Sequence, residues 1–65
     1  MKLSIYKINV QMARQQMSVA DLAKAYGVSR ARMNTILGQR VVSPATAGRM
    51  AAALGVDVTE ILAEE

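Results

Sequence analysis

Serine and glycine residues divide this chain into short helical segments, and they limit the fold more than any other feature of the sequence. All four serines stand directly before an apolar pattern of helical period, where a hydroxyl accepts a backbone N–H at the start of a helix. Gly27, Gly38 and Gly55 follow such patterns, and we expect them to end helices in left-handed geometry. No stretch alternates as a strand does. The sequence therefore predicts an all-α compact bundle of about five short helices.

The second and third predicted helices are the most clearly marked. Ser18 and Asp21 form a capping box before the second helix, and Gly27 ends it. Ser29 caps the third helix, which runs to Gly38. The residues predicted to point inward from these two helices are Val19, Leu22, Ala23, Tyr26, Met33, Ile36 and Leu37.

The other three predicted helices frame this pair. Ser4 caps the first, with Ile5, Ile8 and Met12 inward. Ser43 and Pro44 open the fourth, since proline loses nothing at the first helical position. The inward residues of that helix are Ala47, Met50, Ala51 and Leu54. Asp57 and Glu60 form a second capping box, which predicts a fifth helix leading into Val58, Ile61 and Leu62.

Length and two missing residue types narrow the function. At 65 residues we expect one domain over 1–65 with a thin core. The chain has no cysteine and no histidine, so it lacks disulfides, thiolate ligands and the usual partners of a catalytic nucleophile. Its serines are explained as helix caps, and it has no glycine-rich phosphate loop. We therefore expect no enzyme activity, no metal or other cofactor, and no small-molecule ligand.

Basic and acidic residues occupy different parts of the chain. Residues 1–49 contain all eight lysines and arginines and one acid, whereas residues 50–65 contain four acids and no base. This asymmetry indicates a surface for a polyanion, but an ordinary solvated basic face would give the same pattern, and charge alone leaves both open. No apolar run reaches the length of a membrane span, and the N-terminus lacks the apolar stretch of a secretory signal. We expect a cytoplasmic protein that does not contact a membrane.

The junction of the second and third predicted helices reads VADLAKAYGVSRARMNTILG. Ala23 is small where two helices approach closely, Gly27 permits a sharp turn, and apolar residues fill the angle between the helices. This helix-turn-helix pattern, over about residues 18–38, resembles the lambda-repressor-like family of phage repressors, Cro proteins and xenobiotic-response-element type regulators. The later stretch SPATAGRMAAALGVDVTEIL resembles that family's closing helices. The resemblance implies a bacterial or phage regulator of transcription that binds specific double-stranded DNA, and we expect a repressor.

Helical geometry predicts which residues of the third helix face outward. With its apolar side inward, Ala31 and Thr35 face directly outward and are flanked by Arg32 and Asn34. Small central residues let a helix lie deep in the major groove, where their methyl groups can meet thymine methyls. In the resembling family, the residues matching Arg30, Ala31 and Thr35 are the usual base readers. We predict base contacts by these three and by Arg32, with Arg30 bidentate to a guanine. For Arg32 a phosphate, a second guanine and solvation alone remain open.

Contacts to the DNA backbone are predicted around this surface and in the loop after it. The predicted residues are Ser29, Asn34, Lys24, Gln39 and Arg40. The chain departs from the resembling family in two places. Many members have glutamine at the position of Val19, and basic or polar residues are common where this chain has Val41 and Val42. We therefore expect the contacts between this protein and the DNA phosphates to be weaker.

Apolar residues outside the helix-turn-helix indicate protein contacts. Val41 and Val42 in the loop, with Val58 or Ile61 near the acidic end, are candidates for the interface of a homodimer, and completing the thin core is their alternative role. Such a dimer would place two recognition helices about 34 Å apart. A helix-turn-helix module for protein contacts, such as an antitoxin or antirepressor, is the alternative function. The basic third helix favours DNA.

Overall fold

Four α-helices and one short 3-10 turn make up this computed structural model, which describes residues 1–39 and 41–64. The elements are α1 (Ile5–Gln15), α2 (Val19–Tyr26), α3 (Arg30–Leu37), α4 (Pro44–Leu54) and the 3-10 turn Val58–Glu60. The all-α prediction is confirmed, whereas the count of about five helices is slightly high. The predicted fifth helix is a single turn because the chain leaves helical geometry at Ile61 and pairs with the N-terminal segment. Within the described ranges, no helix is long and apolar enough to cross a membrane.

Each α-helix begins directly after one of the four serines, as predicted. The side chain of every one of these serines accepts the backbone N–H of the residue three positions further on, which satisfies one of the unpaired donors of a helix start. Pro44 occupies the first turn of α4, where its missing N–H costs nothing. The local sequence thus fixes where all four α-helices start.

Three α-helices end in left-handed backbone geometry, and one does not. Gly27 (φ 94°) and Gly55 (φ 69°) end α2 and α4, as expected of glycine. Gln16 ends α1 at φ 55°, the one positive φ outside glycine among the described residues. Gly38 has φ −79° and remains right-handed, so the expectation of left-handed geometry there is wrong. The Gly38 N–H donates to carbonyls in the last turn of α3. The backbone therefore leaves this helix in right-handed geometry.

The core lies where α2 packs against α3 and α4, with the 3-10 turn packed against α4. The largest fully buried side chains are those of Ile8, Leu22, Met33, Met50, Leu54 and Ile61. Ile5, predicted to point inward, is 41% exposed. Leu3, in the segment before α1, is buried instead, because that segment pairs with the end of the chain.

The segment before α1 is held from two sides. Its Ser4 N–H donates to the Ile61 carbonyl at 2.8 Å, and the Ala63 N–H donates to the Lys2 carbonyl at 2.9 Å. On its other side, the Val42 N–H donates to the Met1 carbonyl at 2.7 Å. The pairing covers Val42 and Ile61, which are 5% and 0% exposed. The expectation that these two residues lie on the surface for a dimer is therefore wrong, since both complete the core.

Candidate nucleic-acid interface

The turn between α2 and α3 consists of three residues, and its first residue sets the angle between the two helices. Gly27 has φ 94° and ψ 32°, a conformation that strains any residue with a Cβ. Its N–H donates to the Ala23 carbonyl at 2.8 Å, and the Val28 N–H donates to the same carbonyl at 3.0 Å. The predicted positive φ of Gly27 is confirmed. An added Cβ would lie 3.8 Å from the nearest side-chain atom, so backbone geometry rather than space requires glycine.

An arginine from α4 braces the same turn. The Arg49 guanidinium donates to the Tyr26 carbonyl at 2.9 Å, which satisfies a carbonyl at the end of α2. Its Cζ also lies 4.3 Å from the centre of the Tyr26 ring, within cation–π range. Arg49 and Tyr26 lie 23 positions apart, and no local sequence pattern predicts a contact between them. The Arg49 side chain therefore supports the turn between α2 and α3.

The recognition surface, defined here as the outward face of α3, rests on a buried anchor. Met33 is 0% exposed and Ile36 is 4% exposed, so both fix the inward side of the helix. The predicted contact residues on α3 and at its cap are all exposed: Ser29, Arg30, Ala31, Arg32, Asn34 and Thr35. These side chains therefore lie on the exposed side of α3 or at its start, with two arginines in the first turn.

The Ser29 and Thr35 hydroxyls on this surface are already engaged by the backbone. The Arg32 N–H donates to the Ser29 hydroxyl at 3.1 Å, which caps α3. The Thr35 hydroxyl donates to the Ala31 carbonyl one turn earlier at 3.2 Å. The hydrogen-bonding side chains of α3 that have no such bond to the helix backbone are Arg30, Arg32 and Asn34, within the bonds that the structure describes.

The basic residues of α1 and α3 differ in whether an acidic residue lies near them. In the part of the chain that the structure describes, the one ion pair joins Lys7 to Glu64 at 3.8 Å, and Lys7 also donates to the Leu62 carbonyl. Asp21 lies on α2, where hydrogen bonding from Ser18, above all from its backbone N–H, lowers the pKa of this carboxyl. α3 contains no acid. Among residues 1–39 and 41–64, no acid pairs with Arg30 or Arg32, so their positive charge can meet an external anion.

The remaining predicted contacts lie on neighbouring elements. Lys24 is exposed in the last turn of α2, and Gln39 is exposed just after α3. Arg40 lies outside the described residues. Of the residues proposed for a dimer, Val41 is 69% exposed and Val58 is half-buried.

The comparison with protein families agrees with this geometry. A family model described as the Cro/C1-type HTH DNA-binding domain matches residues 7–64. The chain belongs to this family. The match extends from α1 through the 3-10 turn, so the resemblance drawn from the helix-turn-helix sequence is confirmed, and the protein is a DNA-binding regulator. No curated protein and no solved structure matches the chain.

In this Cro/C1-type domain, Val19 is the first residue of α2. The side chain is half-buried and packs against the core. It adds packing to the start of α2 and offers no hydrogen bond.

Proposed function

We propose that this protein regulates transcription by placing α3 in the major groove of a specific double-stranded DNA site, and that it acts as a repressor in the cytoplasm, as a bacterial or phage-encoded protein. Arg30 reads a guanine, and Ala31 and Thr35 contact bases at the centre of the helix. Arg32 contacts a second base or a phosphate. Ser29, Asn34, Lys24 and Gln39 contact the DNA backbone, as does Arg40 by its place in the sequence.

One observation carries the proposal. Arg30 and Arg32 stand exposed in the first turn of a helix whose other side is buried. The dipole of a helix disfavours positive charge at this end, so the two arginines cost the folded domain stability. A polyanion would offset this cost, and the base edges of guanine accept bidentate hydrogen bonds from arginine.

Selection of bound sequences from a random pool of duplex DNA tests the proposal. We expect one short motif that contains a guanine and is bound far more tightly than random duplex. The matched control is Arg30→Ala, whose selected motif should lose the guanine preference and keep the rest. Enrichment of no motif by the natural protein would contradict sequence-specific binding.

The alternative is a module that contacts protein only, such as an antitoxin or antirepressor. The exposed Val41 and Tyr6, at 69% and 78%, favour some protein contact. A salt titration of binding to random duplex separates the two functions. For a DNA-binding domain, the logarithm of the binding constant falls linearly with the logarithm of the salt concentration. A module that contacts protein only would show no binding to random duplex at any salt concentration.

We further propose that the protein binds DNA as a homodimer. Each copy has one α3, whereas two major-groove half-sites on one side of the duplex lie roughly 34 Å apart. One copy therefore reaches a single half-site, and such a contact covers only about 600–1,000 Å². Of the residues first considered for the interface, Val41 and Val58 retain exposed surface. Sedimentation with and without DNA that carries the selected site measures the number of copies bound. We expect two copies on a near-palindromic site, whereas a protein that stays monomeric and binds a single half-site would overturn the dimer.

A further inference from the structure

We propose that Arg49 is a positioning residue for DNA recognition. From α4 it fixes the turn between α2 and α3, and with it the direction in which Arg30 and Arg32 extend from the start of α3. This inference rests on the proposed function, because it concerns how the recognition surface is aligned with its DNA site. It gives a residue outside the helix-turn-helix a part in the specificity of binding.

The start of α3 depends on such support because it lies ahead of the buried anchor of that helix. Arg30, Ala31 and Arg32 are all exposed, and the first buried residue of α3 is Met33. Core packing therefore fixes the middle of the helix, whereas the position of its first turn depends on the chain that leads into it. A small tilt about the anchor would displace the ends of the two long arginine side chains.

The guanidinium of Arg49 joins that leading chain to α4. Its Nη2 donates to the Tyr26 carbonyl at 2.9 Å, and its Cζ lies 4.3 Å from the centre of the Tyr26 ring. The same nitrogen would lie 3.8 Å from a Cβ added at Gly27. The next residue of α4, Met50, is fully buried, and α4 packs against α2. Arg49 thus extends from a helix held by the core to the first residue of the turn.

These contacts suit alignment better than overall stability. An arginine can donate to a carbonyl and place its planar cation over an aromatic ring at the same time, and two contacts of different direction restrict orientation. Arg49 is exposed, however, and a single hydrogen bond or charge contact near solvent adds little to the free energy of unfolding. We therefore expect its removal to change specific binding more than it changes melting.

Two substitutions of Arg49 test this role on the selected site and on random duplex, well below the melting temperature. Arg49→Met keeps a long side chain and removes the donors and the charge. We expect about tenfold weaker binding to the selected site, comparable to impairing one bidentate base contact, and a change of about twofold or less on random duplex. Arg49→Lys keeps the charge and a donor for the Tyr26 carbonyl, and it should recover most of the specific affinity.

Arg14→Met is the matched control. Arg14 is an exposed base in the last turn of α1 and is outside the proposed interface. Its removal takes the same charge from the protein without touching the turn. We expect binding to the selected site and to random duplex to change by the same small factor, about twofold or less.

Hydrogen exchange supplies a measurement without DNA. The Gly27 and Val28 amides both donate to the Ala23 carbonyl, so their protection reports on the turn itself. In Arg49→Met we expect these two amides to exchange faster while the Met33 amide, at the buried anchor, keeps its natural protection. Equal acceleration of all three would indicate a loss of global stability and would contradict a local role.

The binding outcomes separate alignment from two other roles of Arg49. Equal losses on both duplexes, with the salt slope reduced by about one unit, would identify a phosphate contact and overturn the inference. Lower melting with an unchanged ratio of specific to random affinity would identify support of the fold alone and overturn it too. Failure of the natural protein to select any motif would instead reject the proposed function on which the inference rests.

Discussion

The two helices of the helix-turn-helix have the same length and the same kind of start, yet they differ in the charge of their first turn. α2 and α3 both contain 8 residues and follow a serine whose hydroxyl accepts the N–H three positions on. In α2 that third position is Asp21, whose carboxylate in turn accepts the Ser18 N–H. In α3 the same position is Arg32, with Arg30 before it.

This difference separates stability from binding. Asp21 completes a capping box and places negative charge where the helix dipole favours it. The arginines of α3 do the opposite, and each costs roughly 0.3–1 kcal/mol in the isolated domain by the usual magnitude of such charges. α2 is therefore built to hold the fold, whereas α3 carries charges that gain favourable interactions when an anion is bound.

The largest expected effect comes from the turn that the two helices share. Gly27→Val places a β-branched residue at φ 94° and should destabilise the domain by about 2–3 kcal/mol. In a domain of this size each kcal/mol lowers the melting temperature by about 4–8 °C. Thermal melting followed by circular dichroism measures the change.

Gly48→Ala is the matched control for that experiment. An added Cβ meets nothing within 4 Å at this position inside α4, and alanine favours a helix by up to about 1 kcal/mol. The control should therefore melt at a higher temperature than the natural protein. If Gly27→Val melts at the same temperature as the natural protein, the turn does not depend on glycine.

The next largest effect compares a base reader on α3 with a proposed backbone contact on α2. Arg30→Ala should cost about 1–3 kcal/mol on the selected site and relax the preference at one base pair. Lys24→Ala should weaken binding to all sequences alike and reduce the salt slope by about one unit. Titrations of specific and random duplex at several salt concentrations measure both effects. The assignment of Arg30 fails if its removal leaves sequence preference unchanged.

A smaller effect follows from giving α3 the charge pattern of α2. Arg32→Glu would place an acid three residues after Ser29, as Asp21 follows Ser18. We expect about 0.5–1 kcal/mol of added stability together with weaker binding to every duplex. Denaturant unfolding and DNA titration on one preparation would show both changes. A variant that loses stability would contradict the proposed cost of positive charge at this helix start.

The smallest effect is a difference in pH dependence between the two helix starts. Hydrogen bonding from Ser18 lowers the pKa of Asp21 in the folded protein below its ordinary value of 3.8. This carboxylate therefore contributes its stability above the unfolded pKa and loses it as pH falls through the folded pKa. The melting difference between the natural protein and Asp21→Asn should shrink as pH falls from about 5 through the folded pKa of Asp21, which lies below 3.8. The melting difference between the natural protein and Ser29→Ala should change less with pH, because α3 has no carboxylate. If both melting differences changed equally with pH, the proposed difference between the two helix starts would be wrong.

Local sequence predicted the helix starts, because a serine cap and the residues after it are neighbours along the chain. The same reasoning located Gly27 and the buried anchor Met33, and the Cro/C1-type match confirms the family. The sequence left open whether Val42 completes the core or lies on the surface, and it did not predict the contact between Arg49 and Tyr26. Both depend on segments that are far apart in sequence, and no periodicity within one segment encodes them.

The pairing of the two chain ends has a consequence for the order of folding. Lys7 and Leu62 are 55 positions apart, whereas the turn between α2 and α3 joins neighbours. Closing so long a loop costs more chain entropy, so contacts between distant segments form late on average. We expect the helix-turn-helix to assemble first and the segment around Leu3 to dock last. In native-state hydrogen exchange, the Ser4 and Ala63 amides should then exchange through openings that leave the recognition surface intact.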